Sequence, residues 1–184
     1  MIHSWGPMLW QTRVDQSIAD EFVMRGLLID TSIGDRLAST IKDVREYTDR
    51  EDLEWIVNSL SPYWEQYLKH QTPKPQQVNL AKTWINFQKA NELNPEHLHD
   101  SDFSWVLYAS IPEELKQEYQ ADPDQGAGTI TFRYGEQMPY SRNQNWFFPE
   151  AGDMFVFPSW LAHWVTPFTS NCTRVSVSGN LLVS

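Results

Sequence analysis

The residues of this 184-residue chain whose types and spacing could do chemistry are three histidines and one arginine. His97 and His99 stand two apart, and in an extended segment such residues point the same way, which aims both imidazoles at one point. His163 lies far downstream, in FPSWLAHWVTP. Two close ligands and one distant ligand suit a mononuclear non-haem iron(II) site, which keeps open positions for oxygen and a chelating substrate. The single cysteine, Cys172, excludes a multi-cysteine zinc site and an internal disulfide framework. Arg174 follows in CTRVSVSGN, where alternation puts Arg174, Ser176, Ser178 and Asn180 on one face and Val175 and Val177 on the other. An inward polar row is costly unless something binds there. A guanidinium with a hydroxyl two residues on can clamp a carboxylate.

Each feature also has a plainer reading. His97 and His99 could be surface residues of the polar stretch NPEHLHDSD, and His163 a core histidine among apolar neighbours. The Arg174 row could face solvent with an ordinary ion pair. His3 and His70 read as solvated, Asp153 as a turn residue opening a strand, and Trp160 and Trp164 as core packing or pocket wall. Asn86 and Gln88 share a face with Trp84, where they meet either substrate or solvent.

The elements that must position these residues fall into two textures. Up to about residue 75 the chain reads as helical support: VDQSIADEFVMRGLLI, DRLASTIKDV and REDLEWIVNSLSPYWEQYLKH carry apolar residues at three and four spacing. Leu53, Ile56, Val57, Leu60, Trp64 and Leu68 outline one buried stripe, and Pro62 predicts a kink or a division into two helices. From about residue 76 short β-prone runs follow: VNLAKTWINFQK, FSWVLYASI, GTITFRYG, DMFVFPS, HWVTPF and CTRVSVSGN, separated by turn-rich pieces. The expectation is one domain over 1–184, mainly β, a jelly roll with N-terminal helices against one sheet. A net charge of -10 argues against nucleic acid and anionic membrane as partners. The absence of a long apolar run or leader pattern, with the single cysteine, predicts a cytoplasmic protein.

The segment from Trp84 to Asn180 resembles the iron(II) and 2-oxoglutarate-dependent oxygenases, specifically the phage-type and bacterial members related to prolyl 4-hydroxylases. The residues that carry the likeness are Trp84-Ile85-Asn86, His97-Leu98-His99, Ser104 to Tyr108, Gly152 to Pro167 and Arg174 to Ser178. The resemblance implies a double-stranded β-helix core, iron(II) as metal, 2-oxoglutarate as cosubstrate and O2 as oxidant. It implies His163 as the distal ligand, Arg174 with Ser176 gripping the C5 carboxylate, and Tyr108 reaching the same carboxylate. Asn86, from the W-x-N strand, is counted with that cofactor-binding set. One departure stands out: most such oxygenases carry H-x-D or H-x-E where this chain has His99. Either His97 and His99 both bind, or one binds and Asp100 or Asp102 supplies the charge. Alternation turns Asp100 away, whereas Asp102 can return to the metal if the chain bends.

The implied activity is hydroxylation of a C–H bond in a small-molecule or peptidyl substrate, a prolyl residue or an amino acid among the candidates, with release of succinate and CO2. The polar stretches QADPDQGAG and MPYSRNQN are candidate lids. Two other readings compete: a metal-free jelly-roll module binding carbohydrate or protein, and a cupin-like three-histidine dioxygenase that uses no 2-oxoglutarate. Nothing in the sequence sets the oligomeric state.

Overall fold

The computed structural model describes residues 6–34, 39–71 and 77–184. Its strands are β1 (Trp10–Arg13), β2 (Val44–Glu46), β3 (Val78–Lys89), β4 (Asn94–His97), β5 (Phe103–Ser110), β6 (Ile130–Arg133), β7 (Gln144–Phe147), β8 (Asp153–Pro158), β9 (Ala162–Val165) and β10 (Thr173–Val183). Its helices are α1 (Gln16–Leu27), α2 (Arg50–Gln71) and α3 (Glu113–Ala121). A six-stranded sheet runs β1-β8-β5-β10-β3-β2 and a four-stranded sheet β4-β9-β6-β7, with every pairing antiparallel. No helix among the described residues is long and apolar enough to cross a membrane.

Alternation in the central strands builds two cores. On β5, Trp105, Leu107 and Ala109 pack toward α1 and α2, joined by Met154 and Val156 of β8 and Val175 and Val177 of β10. The intervening Val106, Tyr108, Phe155 and Phe157 meet Ile130 and Phe132 of the smaller sheet. The predicted stripe of α2 is in place, with Ile56, Leu60, Trp64 and Leu68 buried and Leu53 and Val57 packed at its edge. Burying these side chains is worth about 1.5–3 kcal/mol each. That outweighs the roughly 3 kcal/mol a helix-interior proline costs, so one helix runs through Pro62 where division was an alternative.

The helical reading of the first 75 residues needs correction. Strands β1 and β2 lie within it and complete the two edges of the larger sheet. The described part of DRLASTIKDV is irregular until β2 begins. There the Ser39 hydroxyl accepts the Ile41 N–H, and the Ser39 and Thr40 hydroxyls donate to Leu93 O, local bonds that compete with a helix. Helices are also not confined to the N-terminal half. α3 follows Pro112, opens with Glu113 and Glu114 and buries Leu115, a helix start the sequence reading passed over. β4 and β7 fall within or beside stretches read as turns.

Candidate metal centre

The smaller sheet brings two histidines face to face. His97 ends β4 and is paired in register with His163 of β9, and their ring centroids lie 4.2 Å apart. His99 lies beyond the end of β4, held by its backbone N–H donating to Ser159 O at 3.0 Å. Its ring lies 4.9 Å from that of His97 and 5.1 Å from that of His163. One nitrogen from each of the three lies within 4.8 Å of the others, the spacing of a metal's ligand shell.

The ring polarity is set by the backbone. Nδ1 of His97 lies 2.7 Å from Pro95 O and Nδ1 of His163 lies 2.9 Å from Leu161 O. A carbonyl only accepts, so Nδ1 carries the proton and Nε2 keeps its lone pair for a metal. Burial favours the neutral imidazole in all three: it lowers His97, takes His99 down to about 4, and holds His163 well below its ordinary value. His97 and His99 add to the depression of His163. Neutral imidazoles are the form that ligates.

Facing the histidines, β3 and β10 pair in register to form a polar floor. Arg174 opposes Gln88, Ser176 opposes Asn86, Ser178 opposes Trp84 and Asn180 opposes Lys82. Arg174, Ser176, Asn86, Tyr108 and His163 line one cavity of about 40 Å³ with the other two histidines. It opens into an outer cleft of about 310 Å³, the two sharing Trp84, Asn86, Asn94, His97 and His99.

Arg174 is 1% exposed. Its Nη1 donates to Gly128 O at 2.9 Å, and its guanidinium lies 5.1 Å from the Tyr108 ring centroid. Its Nε and the Tyr108 hydroxyl are buried with no hydrogen-bond partner among the described residues. No carboxylate among those residues forms an ion pair with it. Burial pushes Tyr108 up to about 12 although the adjacent guanidinium pulls the other way, and lowers Arg174 from its ordinary value. A buried cation left unpaired by the described residues is costly, and an anion beside it would offset that cost.

A family model described as "Putative 2OG-Fe(II) oxygenase" matches residues 82–180. The chain belongs to the 2OG-Fe(II) oxygenase family. Iron(II), 2-oxoglutarate as cosubstrate and O2 are accordingly its cofactors. No curated protein matches the sequence. Among solved structures, a 2OG-Fe(II) oxygenase family oxidoreductase from Burkholderia pseudomallei is 14% identical, with TM-score 0.68 over 95% of this chain and 84% of that one. The viral collagen prolyl hydroxylase of Paramecium Bursaria Chlorella virus-1, solved with 2OG, is 11% identical, with TM-score 0.63 over 96% of each chain. HygX of Streptomyces hygroscopicus, solved with nickel and 2-oxoglutarate, is 11% identical, with TM-score 0.59 over 93% of this chain and 81% of that one. These likenesses are of fold.

The donor set fits a divalent metal, since three neutral nitrogens converge. The orphaned Arg174 Nε and Tyr108 hydroxyl fit a carboxylate. Asp102 stands outside the histidine cluster: its carboxylate accepts the Val183 N–H at 2.8 Å and so ties down the bend after His99. Asp100 is exposed. Gln88 is fully buried, donates to Glu92 O at 2.6 Å and is not among the residues lining the cavity. Asp153 opens β8 and accepts the Glu150 N–H, as a turn residue should. Trp160 is exposed and Trp164 half-buried, and neither lines the cavity. Ala127 and Gly128, the end of the first candidate lid, are buried, and Gly128 O accepts a hydrogen bond from Arg174. His70 is exposed, and His3 lies outside the described residues. Sequence reasoning missed Asn94 and Lys82, both at the cleft. The only signal was their place on flanking strands, in line with Asn86 and His97.

Proposed function

We propose that this chain is a dioxygenase that hydroxylates a C–H bond of a small-molecule or peptidyl substrate, converting 2-oxoglutarate and O2 to succinate and CO2, with residues 1–184 as one double-stranded β-helix domain. The observation that carries the reading is Arg174, a buried guanidinium with no carboxylate partner among the described residues, in the same cavity as three converging histidines. His97, His99 and His163 would hold the iron. Iron, when bound, supplies the activation of O2 that couples decarboxylation of the 2-oxo acid to C–H oxidation. Arg174 grips the far carboxylate of 2-oxoglutarate through its planar fork, and Ser176 and Tyr108 add hydroxyls to the same group. Asn86 stands beside them on β3, paired with Ser176. Val106, Ile130, Phe157 and Val165 wall the cavity and exclude water, so the clamp works at low dielectric.

The test is anaerobic. Protein loaded with iron(II) should develop a weak visible absorption on adding 2-oxoglutarate, and should release succinate when air and substrate are admitted. Loaded protein that binds no 2-oxoglutarate rejects this reading and leaves the cupin-like alternative.

A further inference from the structure

The polar floor carries a cation at each end. Arg174 stands at the buried end and Lys82, opposite Asn180, at the mouth. At roughly 3.3 Å per residue the β10 row from Arg174 to Asn180 spans about 20 Å, and the histidines face its middle, beside Asn86 and Trp84. The buried cation is already matched to the cosubstrate carboxylate. The outer one lines the cleft that any second molecule must enter. Lys82 is half exposed and its Nζ lies 3.5 Å from a carboxylate oxygen of Glu46, a loose surface pair; an ammonium has three donors, so it can take an incoming anion while Glu46 stays paired.

The remaining groups narrow the class. Among the described residues the single carboxylate lining the cleft, Glu96, is ion-paired with Arg133, so those residues leave no unpaired acid for an ammonium group. Asn86 and Asn94 put two side-chain amides at the neck between cleft and cavity. Amides both donate and accept, which matches an amide or hydroxyl and fixes no charge. Trp84 and Pro95 supply an apolar wall.

Resting on the oxygenase reading above, we infer that the substrate is a small monocarboxylic acid without a free ammonium group, its carboxylate held by Lys82 at the mouth. Asn86 and Asn94 bind its neutral polar middle, and the carbon to be oxidised lies between them and the histidines. An N-acylated amino acid has this pattern of groups; a free amino acid does not, because its ammonium would enter the cleft unpaired.

The experiment is calorimetric titration of manganese-loaded protein, with and without saturating 2-oxoglutarate, using a panel of N-acetyl amino acids alongside their primary amides and the free amino acids. At least one N-acetyl amino acid should bind, with its amide and its free amino acid each at least about tenfold weaker, which is about 1.4 kcal/mol. Lys82→Met should remove the advantage of acid over amide, and Lys82→Arg should keep it. Both variants should bind 2-oxoglutarate like wild type, since Arg174 is untouched. Equal binding of acid and amide, undiminished acid binding by Lys82→Met, stronger binding of free amino acids, or no binding of any acid each overturn the inference. Failure of wild type to bind 2-oxoglutarate defeats the oxygenase reading instead, and the titrations without it still decide the role of Lys82.

Discussion

Replacing Arg174 with methionine should separate stability from binding, because the two depend on the guanidinium with opposite sign. In the ligand-free protein the buried cation donates to Gly128 O and pairs with no carboxylate among the described residues. Removing it relieves a desolvation penalty of several kcal/mol and forfeits one hydrogen bond while orphaning a carbonyl, about 1–3 kcal/mol. Methionine fills much of the same volume with a flexible apolar chain, so the ligand-free variant should lose no more than about 1 kcal/mol and could gain. Binding has no such compensation. Losing one partner of a buried charge pair costs about 2–5 kcal/mol, so 2-oxoglutarate affinity should fall at least roughly a hundredfold, about 2.7 kcal/mol. Arg174→Lys should recover only part, offering charge without the fork. Urea denaturation gives the first quantity, and anaerobic calorimetry on manganese-loaded protein gives the second. A variant that is several kcal/mol less stable yet binds 2-oxoglutarate normally would refute the reasoning, for it would make Arg174 a structural residue and put the clamp elsewhere.

His163→Ala should retain no iron and show no metal-dependent rise in melting temperature, whereas wild type at a hundred times its dissociation constant should gain about 2.7 kcal/mol; metal content by atomic absorption checks the first. His99→Ala should lose iron while Asp102→Ala keeps most of it and loses up to about 1 kcal/mol of stability with the Val183 bond. The reverse ranking would move the third ligand to Asp102. Burial raises the buried phenols of Tyr47, Tyr67 and Tyr108, the last to about 12. Their contribution should therefore be complete below the unfolded value near 10 and fade above it, by up to about 1.4 kcal/mol per pH unit for each tyrosine. For these three tyrosines, phenolate absorbance near pH 10 that appears only on unfolding is the expected record, and ionisation of all seven tyrosines near pH 10 in folded protein would contradict it.

The runs from Val78 to Asn180 were legible because strand burial follows a period of two and their ends carry turn residues. β5 shows this most directly, sending Trp105 and Leu107 to one core and Val106 and Tyr108 to the other. Short edge elements were not legible. β1, β2 and β4 have only three or four residues each, too few for a period to declare itself, and their pairing is decided by the sheet they join. The misreading of Ser39 to Val44 as helix has a related cause. Apolar spacing suggested a helix, while Ser39 and Thr40 offered the backbone other bonds and Val44 found a partner in Asn86 of β3.

At the site, the structure brings together the residues the sequence singled out, partly for a reason other than the one expected. Alternation was expected to aim His97 and His99 together, but β4 stops at His97 and its register slips between Asn94 and His97. His99 is brought back by a bend tied to Ser159, whose hydroxyl lies 2.6 Å from that of Ser101 and 2.7 Å from that of Ser104. Asp102 belongs to the same tie through Val183. The residue weighed as an alternative ligand thus supports the bend that carries His99. Arg174 was legible for a sounder reason. A charged residue on a strand whose other face is valine must point either to water or to an interior, and what decides between them is whether a second sheet covers that face. Strand order across the two sheets supplies that cover, so a local pattern in CTRVSVSGN becomes a buried, unpaired cation only through pairings between residues far apart in sequence.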